Sequence, residues 1–115
     1  MIRTLQATIP INTALSNALS IDGDVLCEIQ MPATWTTAHV TFQTSPDGVN
    51  FQDLVDTSNA EVDLTVTQAK NRRVNPDLYH GIVYLRLRSG TTATPVNQAA
   101  ARVLTLVFED RPYPF

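Results

Sequence analysis

Residues 34–56, TWTTAHVTFQTSPDGVNFQDLVD, carry the pattern that decides the fold. Val40 and Phe42 alternate with Thr41 and Gln43, which is the period of a β-strand with one buried face. The Ser-Pro-Asp-Gly sequence at 45–48 then places proline second and glycine fourth, as a type I turn prefers. An aromatic-bearing strand at 51–55 follows the turn. The stretch therefore predicts a β-hairpin.

Similar signals recur along the whole chain. Alternating or apolar runs bounded by Pro, Gly, Asn and Asp predict strands at 3–9, 12–20, 25–31, 38–44, 51–55, 61–66, 82–88 and 102–108. Residues 12–20 can also be read as a short helical turn, and residues 99–101 as part of a helix, because NQAAARVL has good helix propensity. Residues 75–79 predict a turn that leads into a single helical turn before Gly81.

Seven to nine short strands without a normal amphipathic helix predict an all-β protein, an antiparallel β-sandwich of jelly-roll or immunoglobulin-like type. With 115 residues the chain forms one domain that buries roughly two-thirds of its unfolded surface. We expect an N-terminal strand or arm at 1–10, a sandwich at 11–108 and an extended C-terminal arm at 109–115. Pro112 and Pro114 prevent that arm from continuing a central strand.

Net charge, the absence of long apolar runs and the single cysteine limit the kinds of partner that this chain is expected to have. The formal net charge is −3 and the pI is about 5.1, so no basic field is available to hold a phosphate backbone, and we expect no nucleic-acid partner. No run resembles a signal peptide or a membrane span, which predicts a chain made in the cytoplasm with no membrane partner. The single cysteine, Cys27, lies in the apolar run VLCEIQM and is expected to be a small buried hydrophobe. A reactive or intersubunit thiol is the alternative.

The sequence contains no recognisable set of catalytic or metal-binding residues. His39 and His80 have no Cys, Asp or Glu beside them at a ligand spacing, and no Gly-x-Ser-x-Gly motif is present. Acidic residues such as Asp47 are explained by turn chemistry. We therefore expect no enzymatic activity, no metal and no cofactor.

Partner contacts are predicted at two places in the body of the domain. Tyr84, Arg86 and Arg88 share one strand face and form a candidate polar contact patch; a solvated face with local salt bridges is the alternative. Trp35 lies at a strand junction, where it caps the end of the sandwich or anchors an interface.

The C-terminal arm is a third candidate for a contact. Tyr113 and Phe115 are large apolar residues on a segment with no strand partner of its own. Burying each ring against a neighbouring subunit would contribute about 2 to 3 kcal/mol before ordering costs. A disordered or self-packed tail is the alternative.

Three segments carry a family resemblance: IQMPATWTTAHVTFQTSPDGVNFQDLVD at 29–56, YLRLRSGT at 84–91 and PVNQAAAR at 95–102. Over residues 25–107 the chain resembles small structural proteins of tailed bacteriophages and prophages. The resemblance implies a virion component, with a capsid decoration or cement protein as first choice. Such a protein would sit on the capsid exterior, bind the major capsid protein, bridge neighbouring capsomers and form a dimer or trimer.

In that role the terminal segments would bridge the lattice, which adds Arg3 and Arg111 to Tyr113 and Phe115 as predicted contacts. Two alternatives remain. One is a head- or tail-fibre module that binds host carbohydrate, and the other is a head-completion or tail-connector protein.

Overall fold

The computed structural model describes residues 1–110, which form nine β-strands and one 3₁₀ turn, Pro76–Leu78. The strands are β1 (Ile2–Ile9), β2 (Leu19–Ser20), β3 (Val25–Gln30), β4 (Val40–Ser45), β5 (Gln52–Asp53), β6 (Asp63–Leu64), β7 (Asn71–Arg73), β8 (Tyr84–Ser89) and β9 (Arg102–Glu109). The predicted hairpin is confirmed, because β4 pairs antiparallel with β5 across the 45–51 turn.

The strands form two antiparallel sheets that pack face to face, which confirms the β-sandwich. The first sheet has the order β1-β9-β3-β7, and the second has the order β2-β8-β4-β5, with β6 also on β4. β5 and β6 pair with successive parts of β4, so together they make one edge. The first strand thus pairs with the last, β2 with β8, β3 with β7, and β4 with its neighbours in sequence. This nested pairing is the rolled-up arrangement of a jelly roll.

The core lies between the sheets and is almost entirely aliphatic and aromatic. Alternate residues of β9, Leu104, Leu106 and Phe108, are fully buried and pack with Phe42 of β4. The ring of Phe42 meets the ring of Tyr79 edge-on, with centroids 5.3 Å apart. Alternation therefore predicts the core-facing side of these strands, as period-two side-chain placement requires.

β3 departs from simple alternation. The register against β9 shifts between Leu26 and Glu28, so Cys27 is an extra residue in a β-bulge. As a result Val25, Leu26 and Cys27 are all buried, whereas alternation placed Leu26 opposite the core face. The prediction that Cys27 is a buried small residue is confirmed, and burial raises the pKa of its thiol.

Three segments differ from what the sequence indicates. Residues 12–20 are mostly loop and contribute only β2, because their backbone bonds to neighbouring segments, as where Ser16 N donates to Leu87 O. Residues 71–73 form a strand that the sequence did not indicate. Residues 99–101 are not helical; the chain turns there into β9.

Within the N-terminal segment, residues 2–9 form the edge strand β1 of the first sheet. All eight residues of β1 pair with β9, and the amino group of Met1 lies 2.6 Å from a carboxylate oxygen of Asp110. The predicted extended arm at 109–115 begins within β9 at Glu109, and its residues 111–115 lie outside the described part of the chain.

Candidate contact face

The outer surface of the second sheet carries a set of polar side chains that are aligned by the strand register and hydrogen-bonded to one another. Strand register aligns them in rows: Ser45 faces Tyr84, Gln43 faces Arg86, and Thr41 faces Arg88. β5 extends the middle row, since Gln43 also faces Asp53. We call this surface, formed by Thr41, Gln43, Ser45, Phe51, Asp53, Tyr84, Arg86 and Arg88, the polar face.

Arg86 is held in place at the centre of the polar face. Its guanidinium carbon lies 4.3 Å from the centroid of the Phe51 ring, and its Nε donates to Gln43 Oε1 at 2.8 Å. Gln43 in turn donates to Asp53 at 3.1 Å. Within residues 1–110 the two terminal nitrogens of Arg86 make no hydrogen bond. Arg86 therefore presents a pre-oriented guanidinium edge, the geometry that receives a carboxylate in two parallel hydrogen bonds.

Arg88 is different from Arg86, although the two residues are neighbours on the same strand face. It is only 6% exposed and is surrounded by acceptors of its own chain. Its Nε donates to Thr41, its Nη1 to Asp53 at 2.9 Å, and its Nη2 to Glu61 at 3.1 Å. Arg88 is therefore not exposed for a partner, because β5 and the segment before β6 cover it, and its ion pairs match the alternative of local salt bridges.

The ion cluster around Arg88 joins separate parts of the sheet. Asp53 lies on β5, Glu61 precedes β6, and Thr92 in the loop after β8 accepts from Arg88 at 2.6 Å and also bonds to Glu61. Burial alone would raise the pKa of Asp53, but hydrogen bonds from Gln43, Arg88 and Thr92 outweigh it and lower that pKa. The cluster is therefore an internal clamp on the edge of the second sheet.

The turn at 45–50 is closed by side chains. Ser45 Oγ accepts from the backbone of Asp47 and Gly48, and Asp47 Oδ1 accepts from the backbone N–H groups of Val49 and Asn50, both at 2.8 Å. These backbone bonds hold the pKa of Asp47 well below its ordinary value. The half-buried ring of Tyr84 packs against Gly48, so the turn is docked on the end of the polar face.

Trp35 is part of the core. It is 7% exposed, and its indole Nε1 donates to Ala38 O at 3.1 Å. Its burial supports the prediction of a cap on the sandwich and leaves little surface for an interface anchor. A shallow groove beside it is lined by Trp35, Thr37, Val66, Thr67 and Gln68.

The other predicted contact residues do not join the polar face. Arg3 lies on β1, where its Nε is 2.5 Å from Asp24 and its guanidinium is 5.8 Å from the centre of the Phe108 ring. Arg111, Tyr113 and Phe115 lie outside the described residues. The structure thus brings together Tyr84, Arg86 and Arg88 from the predicted set.

Sequence reasoning missed the residues that organise the polar face: Gln43, Phe51, Asp53 and Glu61. A signal was available for two of them, since the predicted hairpin places Gln43 and Asp53 on the same outer face. Phe51 and Glu61 are the first residues of the predicted strands at 51–55 and 61–66, but both lie outside the observed strands β5 and β6. Strand alternation therefore does not give the direction of their side chains.

Residues 1–110 contain no group of three or more His, Cys, Asp or Glu side chains placed to hold a metal ion. His39 instead lies 2.8 Å from Asp63 in an exposed pair. No helix in this part of the chain is long and apolar enough to cross a bilayer.

Comparison with known proteins finds a similar fold among solved structures. No protein-family profile matches the sequence, and no curated protein matches it. Among solved structures, the chain is similar to the SPBc2 prophage-derived protein YomS, with a TM-score of 0.57 over 94% of both chains and 7% sequence identity. At that identity the likeness concerns the fold. The structural neighbour is prophage-derived, in line with the phage resemblance of the sequence.

Proposed function

We propose that this protein is a bacteriophage virion structural protein that decorates the outside of the capsid and stabilises the head by binding the major capsid protein. The observation that carries the proposal is the guanidinium edge of Arg86 on the polar face: Gln43 and Phe51 orient it, and it has no hydrogen-bond partner within residues 1–110. The phage assignment is supported by the sequence resemblance and by a fold similar to that of a prophage-derived protein.

The chemistry of the polar face suits a carboxylate on the capsid protein. A guanidinium stacked on an aromatic ring has lost most of its rotational freedom before it binds, so the entropy cost of pairing is reduced. A single such contact is weak. A shell protein present in many linked copies reaches high overall affinity because its contacts act together.

In this role the chain needs no cofactor and performs no catalysis; it works by contact. We place it on the capsid exterior after synthesis in the host cytoplasm. Tyr113, Phe115 and Arg111 stay in the proposal as residues of a tail that reaches a neighbouring subunit.

The first test is cryo-electron microscopy of the native particle, with mass spectrometry to count the copies of the protein. Hundreds of copies on the shell exterior, with the polar face toward the capsid protein, would support decoration. A handful of copies at a vertex or on the tail would count against it and favour the connector or fibre alternatives.

A matched pair of variants tests the site itself. Arg86→Met removes the charge and keeps most of the side-chain length, whereas Arg73→Met does the same on β7 of the opposite sheet, where Arg73 pairs with Glu28 at the surface. We expect Arg86→Met to weaken binding to capsids lacking the protein by about tenfold or more, as loss of a charged hydrogen-bonded contact does. Equal losses for both variants would refute the polar face as the binding surface.

The carbohydrate-binding alternative would use the groove beside Trp35. Sugar sites stack the ligand on an exposed aromatic ring, but the ring of Trp35 is buried and its N–H is already bonded to Ala38. Binding of the isolated protein on a host-glycan array, abolished by a substitution at Gln68 in the groove, would favour this alternative.

A further inference from the structure

β1 is the edge strand of the first sheet, and part of its outer edge is unpaired. Asp110 N donates to Met1 O, so Met1 and Asp110 form a hydrogen-bonded pair across the two strands. In an antiparallel ladder such pairs alternate, and the odd-numbered residues of β1 therefore bond to β9. The N–H and C=O groups of the even-numbered residues point away from β9, toward the open edge. Thr8 agrees with this pattern, since its N–H and its carbonyl both bond to Asn17. Within residues 1–110, the outward groups of Ile2, Thr4 and Gln6 have no partner.

The other sheet edges are short or protected. β7 has three residues, two of them arginines, and Arg72 folds over to donate to Thr65 O at 2.8 Å. β2, β5 and β6 have two residues each. Short edge strands and edge charges are the usual devices that prevent strands of different molecules from pairing.

β1 lacks these devices. It is eight residues long, IRTLQATI, with no proline or glycine. Its one charge, Arg3, is already paired with Asp24 at 2.5 Å. Ile2 on the same strand is 59% exposed. A long and partly apolar edge whose one charge is already paired is a template for another strand.

We infer that β1 is a homotypic pairing edge, at which β1 of a second copy of this chain adds in antiparallel orientation. Residues whose backbone groups point to the open edge must lie opposite one another in the two copies. The register that uses Ile2, Thr4 and Gln6 places Thr4 opposite Thr4 of the second copy and Ile2 opposite its Gln6. Three facing pairs with two bonds each give six backbone hydrogen bonds. The arrangement has a two-fold axis at Thr4 and joins two four-stranded sheets into one of eight strands.

The side chains agree with this register. On the outer face the cross-strand pairs are Thr4 with Thr4 and Ile2 with Gln6, so no like charges meet at the axis. Arg3 lies opposite Leu5 of the second copy, with its charge held on Asp24 of its own chain. The inference concerns the isolated chain in solution and does not depend on the proposed capsid role.

Charge exchange at Thr4 tests the two-fold axis directly. The full chain is measured by sedimentation equilibrium as wild type, as Thr4→Lys, as Thr4→Asp and as an equimolar mixture of the two variants. We expect a wild-type dimer and a dissociation constant at least about tenfold higher for each variant alone, because like charges then face one another. The mixture should regain the dimer, since lysine then faces aspartate.

Two controls separate pairing from folding. Thr4→Val keeps the backbone N–H and should stay dimeric, and Gln30→Lys adds the same charge on β3 of the same sheet, away from the edge. Thr4→Pro removes an outward N–H and no bond to β9, so it should be monomeric with the circular dichroism spectrum of the wild type.

Three results would overturn the inference. A wild-type chain that stays monomeric up to about 1 mM has no homotypic edge of useful strength. A trimer contradicts a two-fold edge contact. A dimer that survives Thr4→Lys uses another surface, and if deleting residues 111–115 dissolves it, the occupant is the C-terminal segment.

Discussion

Replacing Arg88 with methionine should reveal how much the buried clamp contributes to stability. Methionine keeps the length of the side chain, so the change is mainly the loss of one positive charge between Asp53 and Glu61. Removing one partner of a buried ion pair costs about 3 to 5 kcal/mol. The Asp53 and Glu61 side chains are 33% and 25% exposed, so water recovers part of that cost. We expect a loss of about 3 kcal/mol.

The measurement is chemical and thermal unfolding of the wild type, Arg88→Met and Arg86→Met. At about 4 °C per kcal/mol for a domain of this size, Arg88→Met should lower Tm by about 12 °C. Arg86→Met is the matched control: it removes the same side chain two positions earlier on the same strand. Its half-buried contacts with Phe51 and Gln43 should contribute no more than about 1 kcal/mol.

The pH dependence identifies the cause. The pKa of Asp53 is lowered in the folded protein, so its stabilising contribution is present above the unfolded pKa, near 3.9, and is lost as the pH falls through the lower folded value. The stability gap between the wild type and Arg88→Met should therefore be widest near neutral pH and narrow below about pH 4. Neutralising both acids in the triple variant with Asp53→Asn and Glu61→Gln should restore part of the loss. A gap below about 1 kcal/mol at pH 7, or one that does not change with pH, would refute the charge argument.

Three further predictions concern local structure. Gly90→Ala should destabilise the fold by more than about 3 kcal/mol, because its φ is +92° and a Cβ there would lie 2.4 Å from Thr94 O. Gly81→Ala is the control: its φ is +76° but the space around it is open, so it should cost only about 1 to 2 kcal/mol. Similar losses for the two variants in thermal unfolding would contradict this prediction. Cys27 should react with a thiol reagent far more slowly in the native protein than in denaturant, since its thiol is buried and its pKa is raised; equal rates would show an accessible thiol. NMR titration should find the Asp47 carboxylate still ionised well below the ordinary aspartate pKa, and the stability that it adds should be lost only as the pH falls through that lowered value; an ordinary midpoint would exclude the turn bonds.

The alternation of apolar and polar residues, together with turn residues, predicted the strands that have one face in the core and the other outside it. β1, β8 and β9 lie close to their predicted bounds, and the hairpin from β4 to β5 is where its turn residues indicated. In each of these strands the alternate apolar residues reach the core because side chains on a strand point to opposite faces in turn.

The sequence-based predictions fail where a segment that is distant in sequence determines the surroundings of a residue or strand. Arg88 has the same strand position as Arg86, yet it is buried because Glu61 and Thr92 reach it from other parts of the chain. β7 is polar and has no apolar alternation; it is a strand because β3 offers an edge to pair with. Such effects are tertiary and leave no periodic signal in the sequence.

Gln98 shows the same limit for a polar residue. It is fully buried in a loop, donates to Thr36 O and to Ser89 Oγ, and accepts from Thr36 N. Nothing in the local sequence NQAAAR distinguishes it from an exposed glutamine. Its burial becomes favourable only when the loop before β4 and the end of β8 supply partners for its amide.

The nested strand order also sets the time at which the chain can fold during synthesis. β9 lies between β1 and β3, and Ile2 of β1 pairs with Glu109 of β9. The first sheet therefore cannot form until β9 has been synthesised. At about 5 to 20 residues per second, roughly 100 residues of synthesis separate β1 from its partner by about 5 to 20 s. During that interval β1 and β3 are unpaired strands, open to other chains on the same polysome. The first sheet therefore forms only after β9 has been translated.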